Sequence, residues 1–196
     1  MFEFDVIIGG SEGEASKALA DEFSYKYIEV PNRPLGRKFN LLMEAAKGYD
    51  GVVVLGSDDF LSDSAFERYA EIDINEPTIH GITKCHFFST ETKRLASLNF
   101  KNSLIQIVGA GRFYPASLLK HFDWKPWTDE KENGLDTDAS LRLCTEEVNL
   151  EGVYLLDVKH TLNVTKKDIV KAGREENKAV MYKELGEDIC QQIEIL

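Results

Sequence analysis

The sequence predicts an α/β protein, a single-domain mixed sheet flanked by helices, and three stretches carry that expectation. The first is Gly51-Val-Val-Val-Leu-Gly-Ser-Asp58-Asp59-Phe60, an unbroken apolar run that stops at two carboxylates. Such a run suits a central strand covered on both faces, with its acids delivered to the carboxyl edge of a sheet, where open α/β sheets bind ligands. The second is Phe2 to Ile8, a strand running into Gly9-Gly10 and then Ser11-Glu12-Gly13-Glu14, which fits a capping box. A helix follows, with Ala15, Ala18, Leu19 and Phe23 at helical spacing. The third is a second strand, turn and helix: a strand over Tyr25 to Val30, a turn held by Pro31 and Pro34, and a helix from Arg37. That helix carries Phe39, Leu42, Met43 and Ala46 on one face and ends near Gly48.

Each element has a local reason. Gly9 and Gly10 let a backbone approach a ligand closely, and the helix end after them offers unpaired N-H groups to an anion or a nucleobase carbonyl. Lys38 and Asn40 fall in the first turn of the second helix, where a cation opposes the macrodipole unless an anion shares the site. Arg33, Arg37 and Lys38 form a local basic patch. Asp58 and Asp59 repel each other unless a cation or hydrogen-bond donors hold them, and a hard ion with oxygen ligands, Mg2+ or Mn2+, suits them. The alternative is that the pair caps the next segment.

Further along, Ser62 or Asp63 caps a short helix through Ala65, Phe66 and Tyr69. Pro77 to Ser89 and Arg94 to Phe100 alternate as two strands around Thr90-Glu91-Thr92-Lys93, a hairpin in which His80 and His86 share a face as structural residues. Ser103 to Val108 reads as an apolar strand leading into Gly109-Ala110-Gly111-Arg112, then a short helix from Pro115 to His121. The third glycine of a dinucleotide fingerprint is missing there, since Tyr114 holds the place, and the glycines suit close approach to a sugar instead. Trp124 and Trp127 lie in a polar loop over Asp123 to Gly134, either to stack on a ligand or to pack under the loop. Asp136 and Asp138 open the next helix, as dipole-favoured acids or as a general base. Gly152 to Val158 is a late strand before Lys159-His160. Thr165 onwards forms a charged amphipathic helix to about Ile189, for packing or for oligomer contact.

Composition excludes several classes. The 43% hydrophobic and 29% charged content is that of a globular protein. No apolar run reaches the roughly 20 residues that span a bilayer, and the Met1-Phe-Glu-Phe-Asp start lacks a signal peptide's basic region, so the expected location is cytoplasmic. Cys85, Cys144 and Cys190 are widely spaced, which argues against a disulfide framework or a zinc site. A formal net charge of -11 opposes generic nucleic-acid binding.

Taken in order, Asn32-x-Pro34-Leu35-Gly36-x-Lys38-x-Asn40, an alanine-rich helix, and the apolar strand ending Gly56-Ser57-Asp58-Asp59 resemble the nucleotide-sugar-binding half of GT-A fold glycosyltransferases. The family 2-like enzymes of bacteriophage genomes look closest. Gly109-Ala110-Gly111-Arg112 and Gly134-Leu135-Asp136 resemble the acceptor-side segments of the same group. The resemblance implies a Rossmann-like GT-A domain over residues 1–196. Residues 1–100 would mainly bind the nucleotide sugar, 101–165 the acceptor, and 166–196 would form a C-terminal helix.

It further implies that Asp58 is the metal-facing acid of an Asp-x-Asp motif, whose first acid is here Gly56, with Asp59 and Ser57 near the donor and His160 as a late metal ligand. Gly9, Gly10, Ser11 and Glu12 would border the nucleotide, Asn32 the base or ribose, Gly36, Lys38 and Asn40 the nucleotide end, and Gly109, Gly111 and Arg112 the sugar. Asp136 matches the catalytic base of inverting members, with Asp138 the alternative, and should face Asp58 across a cleft.

The expected reaction moves a sugar from a nucleoside-diphosphate sugar, with UDP as the expected nucleotide, to an acceptor hydroxyl, with Mn2+ or Mg2+ as cofactor. Acceptor candidates are a hydroxymethylated pyrimidine in phage DNA, a glycan or a protein. The alternatives are a non-catalytic nucleotide-binding module and a nucleotidyltransferase of related α/β fold.

Overall fold

The computed structural model describes residues 3–101, 107–143, 146–160 and 168–195. In chain order these form β1 (Ile7–Gly10), α1 (Glu14–Glu22), β2 (Lys26–Glu29), α2 (Leu35–Ala45), β3 (Gly51–Val54), β4 (Asp59–Leu61) and α3 (Asp63–Ala70). Then follow β5 (Ile79–Gly81), β6 (Lys84–Ser89), β7 (Leu95–Asn99), β8 (Arg112–Pro115), α4 (Ala116–His121), α5 (Leu135–Leu143), β9 (Glu147–Asn149) and β10 (Leu155–Lys159). The chain closes with α6 (Asp168–Ala172), β11 (Arg174–Glu175), α7 (Ala179–Leu185) and α8 (Glu187–Ile195). The class is mixed α/β, with parallel and antiparallel pairing and helices beside the sheets.

The chain falls into two compact units. Unit 1 comprises Met1–Val52, Asp73–Thr78 and Tyr114–Glu146, and unit 2 comprises Val53–Ile72, Ile79–Phe113 and Glu147–Leu196. In unit 1, β1 and β2 pair in parallel, Gly10 opposite Glu29. The glycines of β1 serve packing: a Cβ on Gly9 would lie 2.7 Å from the Leu42 side chain of α2, and one on Gly10 would lie 2.3 Å from Ser16 Cβ of α1. The capping box is not made. Gly13 precedes α1 with no side-chain cap, and the Glu12 carboxylate instead accepts from Ser11 N-H, Ser11 Oγ and Ser16 Oγ. The apolar face expected of α1 is also displaced, since Ala20 is its buried residue while Leu19 and Phe23 are exposed.

In unit 2 the five-stranded sheet runs β11-β7-β6-β10-β4. The hairpin of β6 and β7 forms as its alternation predicts, Phe87 opposite Ala96, closed by Ser89 N-H to the Arg94 carbonyl at 2.9 Å. The other sheet runs β3-β8-β5-β9 and places β3 at an edge with half-buried residues, rather than at a doubly covered centre. The single strand expected over Pro77 to Ser89 is two strands in different sheets, so His80 and His86 do not share a face. Of the strand expected over Ser103 to Val108, residues 103–106 lie outside the described residues. Ile107 and Val108 are not in a strand, and chain pairing resumes at Arg112.

The long C-terminal helix is broken by Gly173 and by Gly186, whose φ of 85° suits glycine. Residues 165–167 of that expected helix, like Cys144, lie outside the described residues. Met181, Leu185, Cys190 and Ile193 of α7 and α8 pack on Phe88, Leu95, Tyr154, Leu156 and Val158, so this segment is a packing element of unit 2.

Candidate functional site

Asp58 and Asp59 do not stand directly at the end of the apolar strand. The chain turns at Gly56, where Asp59 N-H reaches the Gly56 carbonyl at 3.4 Å, and Asp59 opens the short strand β4. β4 pairs antiparallel with β10 in a register that sets Asp59 opposite Asp157. The Asp58 carbonyl accepts from Val158 N-H at 2.8 Å, which ties the turn to the same strand. Asp58, Asp59 and Asp157 thus gather one ligand oxygen each within 4.8 Å of one another, the group among the described residues that could hold a metal ion.

The third acid of this group is Asp157 rather than the expected His160. Side chains alternate along a strand, so Asp157 and Lys159 share one face of β10, and His160 follows the end of that strand. Lys159 is 3% exposed. Its Nζ lies 2.5 Å from Asp157 Oδ2 and 3.7 Å from Asp58 Oδ2.

Burial sets the acidities. It pushes Asp59 up to about 7, helped by the neighbouring Asp157 and Asp58 charges and opposed by the Gly56 N-H that donates to Asp59 Oδ2 at 2.7 Å. It pushes Asp157 up to about 6, with the Lys159 ammonium opposing and the Asp58 carboxyl, in hydrogen-bond contact, adding to the rise. Asp157 Oδ1 is buried with no hydrogen-bond donor. The glycine in place of the usual first acid has a steric reason, because a Cβ at position 56 would lie 2.8 Å from both Asp58 Oδ1 and Asp59 Oδ2. Burial also raises the Cys85 thiol, helped by the Asp157 and Asp59 charges.

Arg112, expected near a sugar, is fully buried in unit 2. Its Nε donates to the Val108 carbonyl, its Nη2 donates to the Ile107 carbonyl, and its Nη1 lies 3.6 Å from Glu147. It holds the turn before β8 to β9. Gly111, with φ 73°, is part of the same turn: its carbonyl accepts from Tyr69 Oη at 2.8 Å and its N-H donates to Val54. Gly109 lies half-buried just before it.

In unit 1 the second helix begins at Leu35, and its first N-H groups are taken by the loop after Trp124. Gly36 N-H donates to the Lys131 carbonyl and Arg37 N-H to the Asp129 carbonyl. That helix end is therefore closed to an anion by the chain's own carbonyls. Gly36 is needed for the approach, since a Cβ there would fall 1.9 Å from the Thr128 carbonyl oxygen. Asn40, 2% exposed and in the second turn, donates Nδ2 to the Trp127 carbonyl and to Asp129 Oδ1, and accepts Trp127 N-H. Trp124 and Trp127 are buried, so both pack under the loop.

Asp138 accepts from Thr128 N-H at 2.7 Å and Thr128 Oγ1 at 3.2 Å, which commits both its oxygens to the same loop. Asp136 stands half-buried in the first turn of α5. Lys38 is half-buried and lies near enough to Glu12 to help lower its pKa, behind the Ser16 and Ser11 hydrogen bonds that act first. Asn32 and Ser57 are exposed. Pro34, Arg37, Asn40, Glu44, Lys125 and Asp129 border a hollow of about 360 Å³ in this unit.

Asp157 and Lys159 were missed at the level of sequence. Their signal was present in Leu155-Leu-Asp-Val-Lys: two charged residues two apart on a strand otherwise apolar must share a face and be paired or bound there. Compared with known proteins, the chain matches no protein-family model and no curated protein. No helix among the described residues is long and apolar enough to cross a membrane.

Proposed function

We propose that the protein is a glycosyltransferase that moves a sugar from a nucleoside-diphosphate sugar, a UDP-sugar foremost, to an acceptor hydroxyl in the cytoplasm. The observation that carries the reading is the convergence of Asp58, Asp59 and Asp157 with the buried Lys159 in unit 2. The order of motifs from Asn32 to Asp59 supplies the donor class. Mg2+ or Mn2+ is the cofactor this reading implies, but the Lys159 ammonium already pairs with Asp157 and Asp58, so the carboxylates as they stand do not fit a free ion.

The chain's own residues do the rest. The β4–β10 ladder fixes Asp59 against Asp157, so the carboxylates are placed by backbone pairing rather than by flexible loops. The acceptor's proton needs a base in an inverting reaction, a role that the resemblance gives to Asp136, with Asp138, held by Thr128, the alternative. Among acceptors, a glycan or protein suits a net charge of -11 better than DNA does.

Release of nucleoside diphosphate from a panel of nucleotide sugars, with and without Mn2+, tests the reading. Release from one donor, reduced about 100-fold or more in Asp58→Ala, is expected. Release that is unchanged in Asp58→Ala removes the assigned site. A nucleotide-binding module without transfer is the second reading, favoured by Gly56 standing where the motif has its first acid. Nucleotide binding with no donor cleavage by any acceptor would select it.

A further inference from the structure

An acidic cluster of this kind normally needs a cation from outside, and here the chain brings its own. Lys159 is 97% buried by its 3% exposure, and its ammonium reaches two of the three carboxylates, Asp157 and Asp58. A lysine is almost never so enclosed unless it is paired. Its stem also runs beside an aromatic face, with Nζ 5.9 Å from the centre of the Phe87 ring. The partner strand fixes it further, because Lys159 ends β10 in register with Ser89 of β6, on a strand that lies between β6 and β4.

We propose that Lys159 is the resident counter-ion of the Asp58–Asp59–Asp157 site and closes it to a free divalent cation. The physical ground is charge at close quarters. An ammonium already within salt-bridge distance of two ligand carboxylates repels a second cation strongly in a partly dry site, and it occupies lone pairs that the ion would need. The free protein accordingly keeps its acids assembled without metal. The inference rests on reading this cluster as the cation-facing part of the site, but not on the identity of any donor.

The test is a titration of Mn2+ alone into the full chain, followed by calorimetry and by the paramagnetic resonance of free Mn2+. The wild-type protein is expected to show no saturable binding below about 1 mM, whereas Lys159→Met binds one Mn2+ at least about tenfold more tightly. Adding Asp157→Asn to that variant should abolish the gain. Wild-type binding of one Mn2+ at tens of micromolar, lost in Asp157→Asn, overturns the proposal. So does a folded Lys159→Met that binds no more tightly than wild type. If circular dichroism shows Lys159→Met unfolded, Lys159→Gln takes its place, and the wild-type titration decides in either case. No nucleotide sugar is present in any arm, so failure to cleave donors and failure to exclude Mn2+ are separate results.

Discussion

A methyl group at position 56 would meet two carboxylate oxygens at 2.8 Å, and it would do so beside the N-H that holds Asp59. Gly56→Ala is therefore expected to destabilise the protein by about 1–3 kcal/mol in urea unfolding, as overpacking does. Stability equal to wild type would mean that the acids can move aside freely. His86 makes a second prediction at this scale. It is buried in unit 2, stacked on Tyr154 at 4.2 Å, with Nδ1 3.3 Å from the Leu155 carbonyl and Nε2 without a partner. Burial, aided by the Lys84 charge, pushes its pKa down to about 4, with the Leu155 carbonyl, Glu176 and Glu184 opposing.

A histidine held neutral in the folded state contributes its full stability above its ordinary value near 6.5. That contribution is lost as pH falls from there to about 4, because the unfolded chain takes up the proton first. The stability of His86→Phe should therefore gain on wild type by about 3 kcal/mol between pH 7 and pH 4. A constant difference between the two proteins across that range would show that His86 titrates normally.

At the scale of elements, the clamp between α2 and the loop after Trp124 is the feature with most consequence for unit 1. Asn40 makes three hydrogen bonds there from a buried position, so Asn40→Ala should cost about 2–3 kcal/mol and expose the loop near Thr128 to limited proteolysis. Gly36→Ala should be at least as damaging, since the obstacle is a backbone carbonyl that cannot rotate away. Loss of protection at the loop with no loss of stability would separate the clamp from the fold. In unit 2, α7 and α8 cover the apolar face of β6, β7 and β10. Removing residues 176–196 should abolish cooperative unfolding as followed by circular dichroism, and a truncated chain that still melts cooperatively would show that the sheet holds without them.

For the molecule as a whole, a net charge of -11 sets long-range behaviour. Unmodified duplex DNA should not shift in gel mobility at micromolar protein and about 0.15 M salt, because few phosphates can be neutralised against that field. Retention that persists at that salt would bring a DNA acceptor forward over a glycan or protein.

Periodicity and turn chemistry were enough to determine the α/β class, the hairpin of β6 and β7, the helices α2 to α5, and Asp58-Asp59 as a place where charge must be satisfied. These are local matters: which residues can repeat at 3.6 or at 2, and which cannot be buried alone. Only the tertiary structure decided what those residues meet. Gly9, Gly10 and Gly36 are glycines because helices and a loop press on them, Trp127 and Asn40 serve a clamp formed across nearly ninety residues, and Asp138 is spent on Thr128. The acidic site itself depends on a strand register that brings Asp157 and Lys159 from about a hundred residues downstream onto Asp59, and pairing at that separation is set by which apolar faces can be buried together.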